Sequence, residues 1–168
     1  MHVLPKVIKK EDHTSFERLV SVWLETERKN MFGKEHVAFT TSGSLVESAD
    51  GFCLTYFGND NEAMPATPTR IECSGNRVVV TRGYPLGFPL VFQKHAPFVC
   101  QHITPGGLMT TQVTTHSAAY ERGNMDGNIS LRFNMIVNGS EHAYSIVIRY
   151  DSIHKSGESI LDNALRYV

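Results

Sequence analysis

The feature that most constrains the fold is an Asn138-Gly139 pair that joins two runs of alternating residues, 129–137 and 140–150. A type I′ turn needs positive φ at both central residues, and Asn-Gly meets that need well. With this turn, apolar residues of the two runs fall opposite each other: Ile129, Leu131, Phe133 and Met135 against Ile148, Ile146, Tyr144 and His142. A slip of one residue would turn one of these faces away from the core, so the register is strongly specified.

Composition and charge narrow the classes of protein. The chain has 168 residues, of which 41% are hydrophobic, and this is enough for one domain with a sizeable core. Its net charge of −1 provides no basic surface for phosphates, so we expect no nucleic-acid partner. It has neither a secretory signal nor an apolar run of the roughly 18 residues that span a bilayer. We therefore expect a cytoplasmic protein with no membrane partner.

The cysteines argue against a stabilising covalent framework. Cys53, Cys73 and Cys100 are odd in number and widely spaced, and no C-x-x-C pair occurs. Disulfide-rich domains and structural zinc sites use paired, closely spaced cysteines. We therefore predict no metal and no cofactor, in keeping with a reducing cytoplasm.

Two helices are predicted outside the β region. Thr14-Ser15-Phe16-Glu17 has the form of a capping box, and apolar residues then recur at helical spacing up to a stop at Gly33. This predicts an amphipathic helical extension over residues 1–33. Ser156 is a candidate cap for a short helix over 156–168, with an apolar stripe from Ile160 to Leu165.

Residues 36–150 read as strands that are separated by turn residues at intervals of about ten, which is typical of an antiparallel sandwich or barrel. Asp50-Gly51 predicts a hairpin turn that sets Leu45 opposite Tyr56. Gly75-Asn76 predicts another, with Ile71, Cys73, Val78 and Val80 on one face. All 168 residues are expected to form a single domain.

The ordered set of short motifs resembles a known family. The motifs are Thr41-Ser42-Gly43, Asp50-Gly51, Thr67-Pro68-Thr69, Val79-Val80-Thr81-Arg82-Gly83, Thr104-Pro105-Gly106-Gly107 and Asn138-Gly139. Over roughly Val37–Tyr150 the chain resembles the bacterial YwiB-like family of calycin-like β-barrels, a family without an established function. The resemblance implies a mainly β fold, a single antiparallel calycin-like or lipocalin-like barrel, and transfers no catalytic residues. With the strands counted above, we expect about 8–9 strands and the two terminal helices.

A group of polar residues is predicted to face the inside of this barrel. Extending the register of the Gly75-Asn76 hairpin sets Thr67, Thr69 and Arg82 on the apolar side, near Tyr56 and Thr41 of neighbouring strands. A guanidinium among hydroxyls favours a carboxylate or phosphate, with which it pairs in a bidentate manner. The structural alternative is that Arg82 caps the barrel end, bonded to strand carbonyls or stacked on Trp23 or Tyr56.

Two further residue sets are weighed in the same way. His142 and Tyr144 are predicted to face inward in the hairpin of residues 129–150. They could be ligand contacts or hydrogen-bonded core residues. Cys100 and His102 share one face of a strand, which is the minimum geometry for a thiolate–imidazole pair. Because no nucleophile motif surrounds them, enzymatic use of this pair is the weakest reading.

The sequence leaves two main hypotheses of function. In the first, the barrel binds a small anionic or amphipathic molecule through Arg82, Thr69, Thr67, Tyr56, His142 and Tyr144. In the second, the protein is a non-enzymatic interaction module with a filled barrel, and its terminal helices dock a partner or a second copy. An enzyme that uses Cys100 and His102 is a third class.

Overall fold

A computed structural model describes residues 17–58, 68–83 and 87–153, and these residues form ten β-strands. The strands are β1 (Glu17–Asn30), β2 (Gly33–Ser48), β3 (Gly51–Phe57), β4 (Pro68–Ser74), β5 (Arg77–Arg82), β6 (Pro89–Gln93), β7 (Phe98–Thr104), β8 (Gly107–Arg122), β9 (Asp126–Val137) and β10 (Ser140–Ser152). The expectation of a mainly β fold is confirmed. The observed strand number exceeds the predicted eight or nine.

All ten strands belong to one antiparallel sheet. Their order is β6-β5-β4-β3-β2-β1-β10-β9-β8-β7, and each strand pairs with its neighbour in an antiparallel ladder. The sheet curls until β6 approaches β8, although no ladder joins these two strands within the described residues. The result is a nearly closed barrel.

The hairpin of β9 and β10 has the predicted turn and register. Asn138 has a φ of 47° and Gly139 a φ of 83°, as a type I′ turn requires. The ladder pairs Val137 with Ser140 and continues to Ile129 opposite Ile148. Ile129 and Ile148 are both buried, so the face selected by the alternation is the face that packs in the barrel.

The predicted N-terminal helix is wrong over the described residues, because residues 17–30 form β1. This strand lies between β2 and β10 and pairs with both. Val20, Val22 and Leu24 are buried on its inner face, while Trp23 lies on the outer face beneath the guanidinium of Arg149, 5.0 Å away. Two complete ladders outweigh the helical spacing of the apolar residues.

The remaining helix predictions fall outside the described part of the chain. Residues 14–16 of the predicted capping box and the C-terminal helix at 156–168 lie there, whereas Glu17, the last residue of that box, begins β1. Among the residues that are described, no helix has the length and apolar character needed to cross a membrane.

The predicted turn between β2 and β3 is displaced by one residue. The central residues are Ala49-Asp50, so Ser48 pairs with Gly51 and Leu45 pairs with Leu54 rather than with Tyr56. Gly51 is the first residue of β3. A Cβ at this position would lie 1.7 Å from the carbonyl oxygen of Cys73, so only glycine fits there. This glycine therefore serves close strand packing and not the turn.

The two ends of the barrel differ, and we call them the base and the mouth. At the base Arg122 donates from Nη1 to the carbonyl oxygens of Ser48 and Gly51, at 3.1 and 2.8 Å. The hydroxyl of Tyr120 donates to the carbonyl oxygen of Gly75 at 3.0 Å. The mouth is the opposite end, where the β1–β2, β7–β8 and β9–β10 turns lie.

A dense apolar core fills the barrel from the base to its middle. Its fully buried members come from nine strands: Val20, Val22, Leu45, Leu54, Ile71, Cys73, Val78, Phe92, Val113, Ile129, Leu131 and Ile148. The base half of the barrel is thus packed and leaves no room for a ligand among these residues.

Candidate functional site

Three of the predicted site residues form a row across three consecutive strands. Tyr56 of β3 pairs with Thr69 of β4, and Thr69 pairs with Arg82 of β5. The row lies at the mouth end of these short strands. Tyr56 and Thr69 are buried, whereas Arg82, the last residue of β5, is exposed. Thr67 lies outside the described residues.

The three side chains of this row interact electrostatically. Burial raises the pKa of Tyr56 to about 12, against the lowering effects of its side-chain hydrogen bond with Thr69 and of the positive charge of Arg82. The phenol is therefore neutral at physiological pH and is held in place by Thr69. Arg82 supplies a cation beside this hydroxyl pair, which is a suitable environment for the head group of an anion.

The structure tests one part of the alternative role of Arg82, the stacking of its guanidinium on an aromatic ring. Tyr56 shares the inner face of the sheet with Arg82, but Trp23 points outward and already lies under Arg149. Stacking of Arg82 on Trp23 is thus excluded by the orientation of the indole.

Tyr144 lies on the inner face of the opposite wall, in the mouth half of β10. Its ring stacks on Phe133 with centroids 5.0 Å apart and an interplanar angle of 11°. It stands opposite Arg28 of β1 in the ladder. The hydrogen bond to Tyr144, followed by the negative charge of Glu35, raises the pKa of the Arg28 guanidinium. The mouth half therefore contains a second arginine–tyrosine pair.

His142 sits at the rim and is held by neighbouring side chains. Its Nδ1 is 3.4 Å from Nδ2 of Asn30, and its Nε2 is 3.2 Å from the hydroxyl of Ser140. It lines a cavity of about 480 Å³ between the tips of the β1–β2 and β9–β10 hairpins. The row of Tyr56, Thr69 and Arg82 does not line this cavity. The structure thus divides the predicted site residues between two walls.

Several apolar side chains on the inner face are only partly buried and pack against the core. They come from seven strands: Phe39, Val80, Leu90, Phe98, Ala118, Tyr120, Met135, Tyr144 and Ile146. Half-buried side chains on an inward face retain solvent contact. Sequence reasoning missed this lining because the alternation predicts which face points inward but not how far the interior is filled.

Two buried polar atoms on the β7–β8 wall lack a hydrogen-bond partner. They are Nδ1 of His102 and Oγ1 of Thr115, which is 7% exposed and pairs across the ladder with the buried Phe133. A buried polar group without a partner costs free energy, and a bound molecule that supplies the partner recovers it. No sequence motif marks Thr115 as a site residue. Its position two residues after Val113 is the one signal that it faces inward.

The geometry gives no support to chemistry at Cys100 and His102. The His102 ring stacks on Phe88 at 4.1 Å between centroids, and no hydrogen bond joins it to the partly buried Cys100. A thiolate nucleophile needs its base within hydrogen-bond reach. Within the described ranges, no group of three His, Cys, Asp or Glu side chains is arranged to hold a metal ion.

Comparisons with known proteins agree with this fold. The model of a family described as a domain of unknown function, DUF1934, matches residues 22–158. The chain belongs to this family. The matched range begins inside β1, so this strand is part of the DUF1934 fold rather than an addition to it. Among curated proteins, a sequence search finds no match.

One solved structure is similar over most of its length, the crystal structure of the ywiB protein from Bacillus subtilis. The identity is 18% and the TM-score 0.70, with 82% of this chain and 94% of that chain covered. The predicted membership in a YwiB-like family is therefore confirmed. At this identity the likeness concerns the fold.

Proposed function

We propose that this DUF1934 protein binds a small amphipathic anion in the mouth half of its barrel. The observation that carries the proposal is the row of Tyr56, Thr69 and Arg82 on the inner face, next to the partly buried apolar side chains of Val80 and Leu90. Apolar walls favour an apolar body, and a guanidinium beside two hydroxyls favours an anionic head.

The lining supports this class of ligand in more detail. Phe39, Phe98, Met135 and Ile146 are partly buried and pack against the core from four different strands. An apolar chain inserted between them would remove their remaining surface from water, at about 25 cal/mol per Å². The head group would then lie near Arg82, the exposed cation at the end of β5.

Thermal unfolding with three probes, below their micellar concentrations, tests the proposal. Decanoate combines both features, decylamine reverses the charge, and acetate lacks the apolar body. We expect decanoate to raise the Tm selectively, since a ligand that binds only the folded state stabilises it. Arg82→Gln should lower the affinity about tenfold, because a charge-assisted hydrogen bond is worth roughly 1.5–3 kcal/mol.

Arg77→Gln is the matched control, because Arg77 lies at the other end of the same strand, is exposed and faces the base. This variant should bind like the wild type. Equal stabilisation by all three probes, or equal affinities of the two arginine variants for decanoate, would contradict the proposal.

One of the two arguments for the alternative function, an interaction module, no longer holds. It relied on an amphipathic N-terminal helix, and residues 17–30 are instead the central strand β1, paired on both sides. A cytoplasmic location, the absence of a nucleic-acid partner and the formation of a homodimer stay predictions of the sequence.

A further inference from the structure

The large apolar side chains that are exposed on this protein are concentrated at the mouth. The three most exposed are Met31 at 89%, Phe32 at 88% and Ile103 at 84%, and all three lie in or beside turns at that end. Leu108, Phe57 and Phe88 add to the same rim. At the base the corresponding residues are Leu19, Ile153 and Met125, at 56%, 48% and 39%, and two exposed valines, Val99 at 58% and Val37 at 51%, lie within strands.

The tip of the β1–β2 hairpin presents its two apolar residues in an ordered manner. The backbone N–H of Phe32 donates to Oδ1 of Asn30 at 2.9 Å, which fixes the turn. Both side chains are nevertheless almost fully exposed and line the outer part of the cavity between the two hairpin tips. An adjacent, ordered and fully exposed apolar pair is costly in water and marks an interaction site.

The nearest charges along the hairpin are positive, while Glu141 of the facing β9–β10 hairpin lines the same cavity as the tip. Lys29 precedes and Lys34 follows the apolar pair, and both are exposed. Lys34 also pairs with Glu27 at 3.0 Å, further down the hairpin. Apolar side chains flanked by lysines suit the boundary between the acyl chains and the anionic head groups of a bilayer, where each lysine near the surface adds attraction.

We propose that the mouth end docks on a bilayer that contains anionic lipids, with Met31, Phe32, Ile103 and Leu108 inserted at the interface. The shape of the rim favours this occupant over a second copy of the chain. The apolar residues lie on separate projecting turns around an opening, and a fluid apolar phase accepts all of them at once. Two rigid copies placed mouth to mouth would set projecting tips against each other.

This inference deepens the proposed function and in part rests on it. Docking follows from the exposed rim alone, whereas the bilayer as the source of an amphipathic ligand requires that the barrel bind one. It also revises the expectation of no membrane partner, which considered spanning segments and basic helices but not hairpin tips.

Co-sedimentation with vesicles tests the inference on the full chain. We expect the wild type to bind phosphatidylcholine vesicles that contain phosphatidylglycerol, and more weakly those of phosphatidylcholine alone. The double variant Met31→Asp/Phe32→Asp should lower the partition coefficient about tenfold or more, because it removes two exposed apolar anchors and adds repulsion. Leu19→Asp, at the base, should bind like the wild type.

Three outcomes would overturn docking on a bilayer. They are no vesicle binding by the wild type, equal loss in the tip and base variants, or a wild-type dimer in solution that the tip variant alone converts to a monomer. Decanoate affinity measured without vesicles separates the two proposals. Its retention by the tip variant, together with no vesicle binding by any form, would reject docking and leave the proposed function intact.

Discussion

Gly43 of β2 and Tyr56 of β3 stand directly opposite each other, and a Cβ on the glycine would lie 3.2 Å from the Cβ of the tyrosine. The same Cβ would come within 2.5 Å of the carbonyl oxygen of Thr55. The absence of a side chain at this position of β2 therefore leaves room for the backbone of β3 and for the side chain of Tyr56. A glycine in a strand marks this kind of close approach.

Gly43→Ala should displace β3 and disturb the row of Tyr56, Thr69 and Arg82. We expect the free energy of unfolding to fall by about 1–3 kcal/mol, since the clash involves backbone that cannot simply turn away. Chemical denaturation measures this loss, and decanoate affinity measures the effect on the site. Ser42→Ala, at the exposed neighbouring position, should change neither; a stable Gly43→Ala protein would show that the packing is looser than described.

Tyr150→Phe should stabilise the protein or leave it unchanged at neutral pH. The tyrosine is 2% exposed, and its hydroxyl has no hydrogen-bond partner among the described residues. Removing an unsatisfied buried hydroxyl recovers about 1 kcal/mol of desolvation cost. Urea unfolding at pH 7 measures the change. A loss above roughly 1 kcal/mol would mean that the hydroxyl does bond to a partner.

Arg122→Gln should weaken the base of the barrel. The guanidinium donates to two carbonyl oxygens of the β2–β3 connection, and its loss leaves both carbonyls without this donor. We expect a loss of about 1–2 kcal/mol in the free energy of unfolding. Arg77→Gln, an exposed arginine near the same end, should stay within about 0.5 kcal/mol of the wild type. Equal effects of the two substitutions would argue against a closing role for Arg122.

Alkaline pH should destabilise the fold. Burial raises the pKa of Tyr56, Tyr150 and Cys73 to about 12, from ordinary values of 10.0 for the tyrosines and 9.0 for the cysteine. The folded state thus keeps protons that the unfolded state releases. Stability is complete below about pH 9 and falls as the pH rises towards 12, by roughly 2–3 kcal/mol for Tyr56.

Urea titrations between pH 8 and 12 measure this dependence. In Tyr150→Phe one of the three groups is absent, so the loss of stability with pH should be smaller than in the wild type. An unfolding free energy that stays constant up to pH 12 would contradict the burial of these groups.

The sequence predicted the parts of the fold whose signals are local. The β9–β10 register follows from two alternating runs and one Asn-Gly pair, and the β4–β5 register follows in the same way. The pairing of Thr69 with Arg82 was predicted because it extends such a register, whereas Tyr56 was expected nearby only as a residue of a neighbouring strand. Alternation decides which residues share a face without knowledge of the rest of the chain.

What the sequence did not predict depends on tertiary context. Leu19, Val20, Trp23 and Leu24 have helical spacing, yet the sheet needs a strand between β2 and β10, and Val20, Val22 and Leu24 supply its buried face. Gly51 resembled a turn residue but serves close packing against Cys73. The exposed rim and the half-buried lining depend on where the turns project and how far the core extends, which no local pattern encodes.

The most direct test of the account is an NMR titration of the isotope-labelled wild type with decanoate. The account predicts saturable shifts at Phe39, Met135, Ile146 and the Arg82 side chain, with no change at Phe52 and Cys73, which lie beside the turns of the base. The same titration of Arg82→Gln should need about ten times more ligand for half-saturation. No saturable shifts, or shifts spread over the outer surface, would contradict binding inside the barrel.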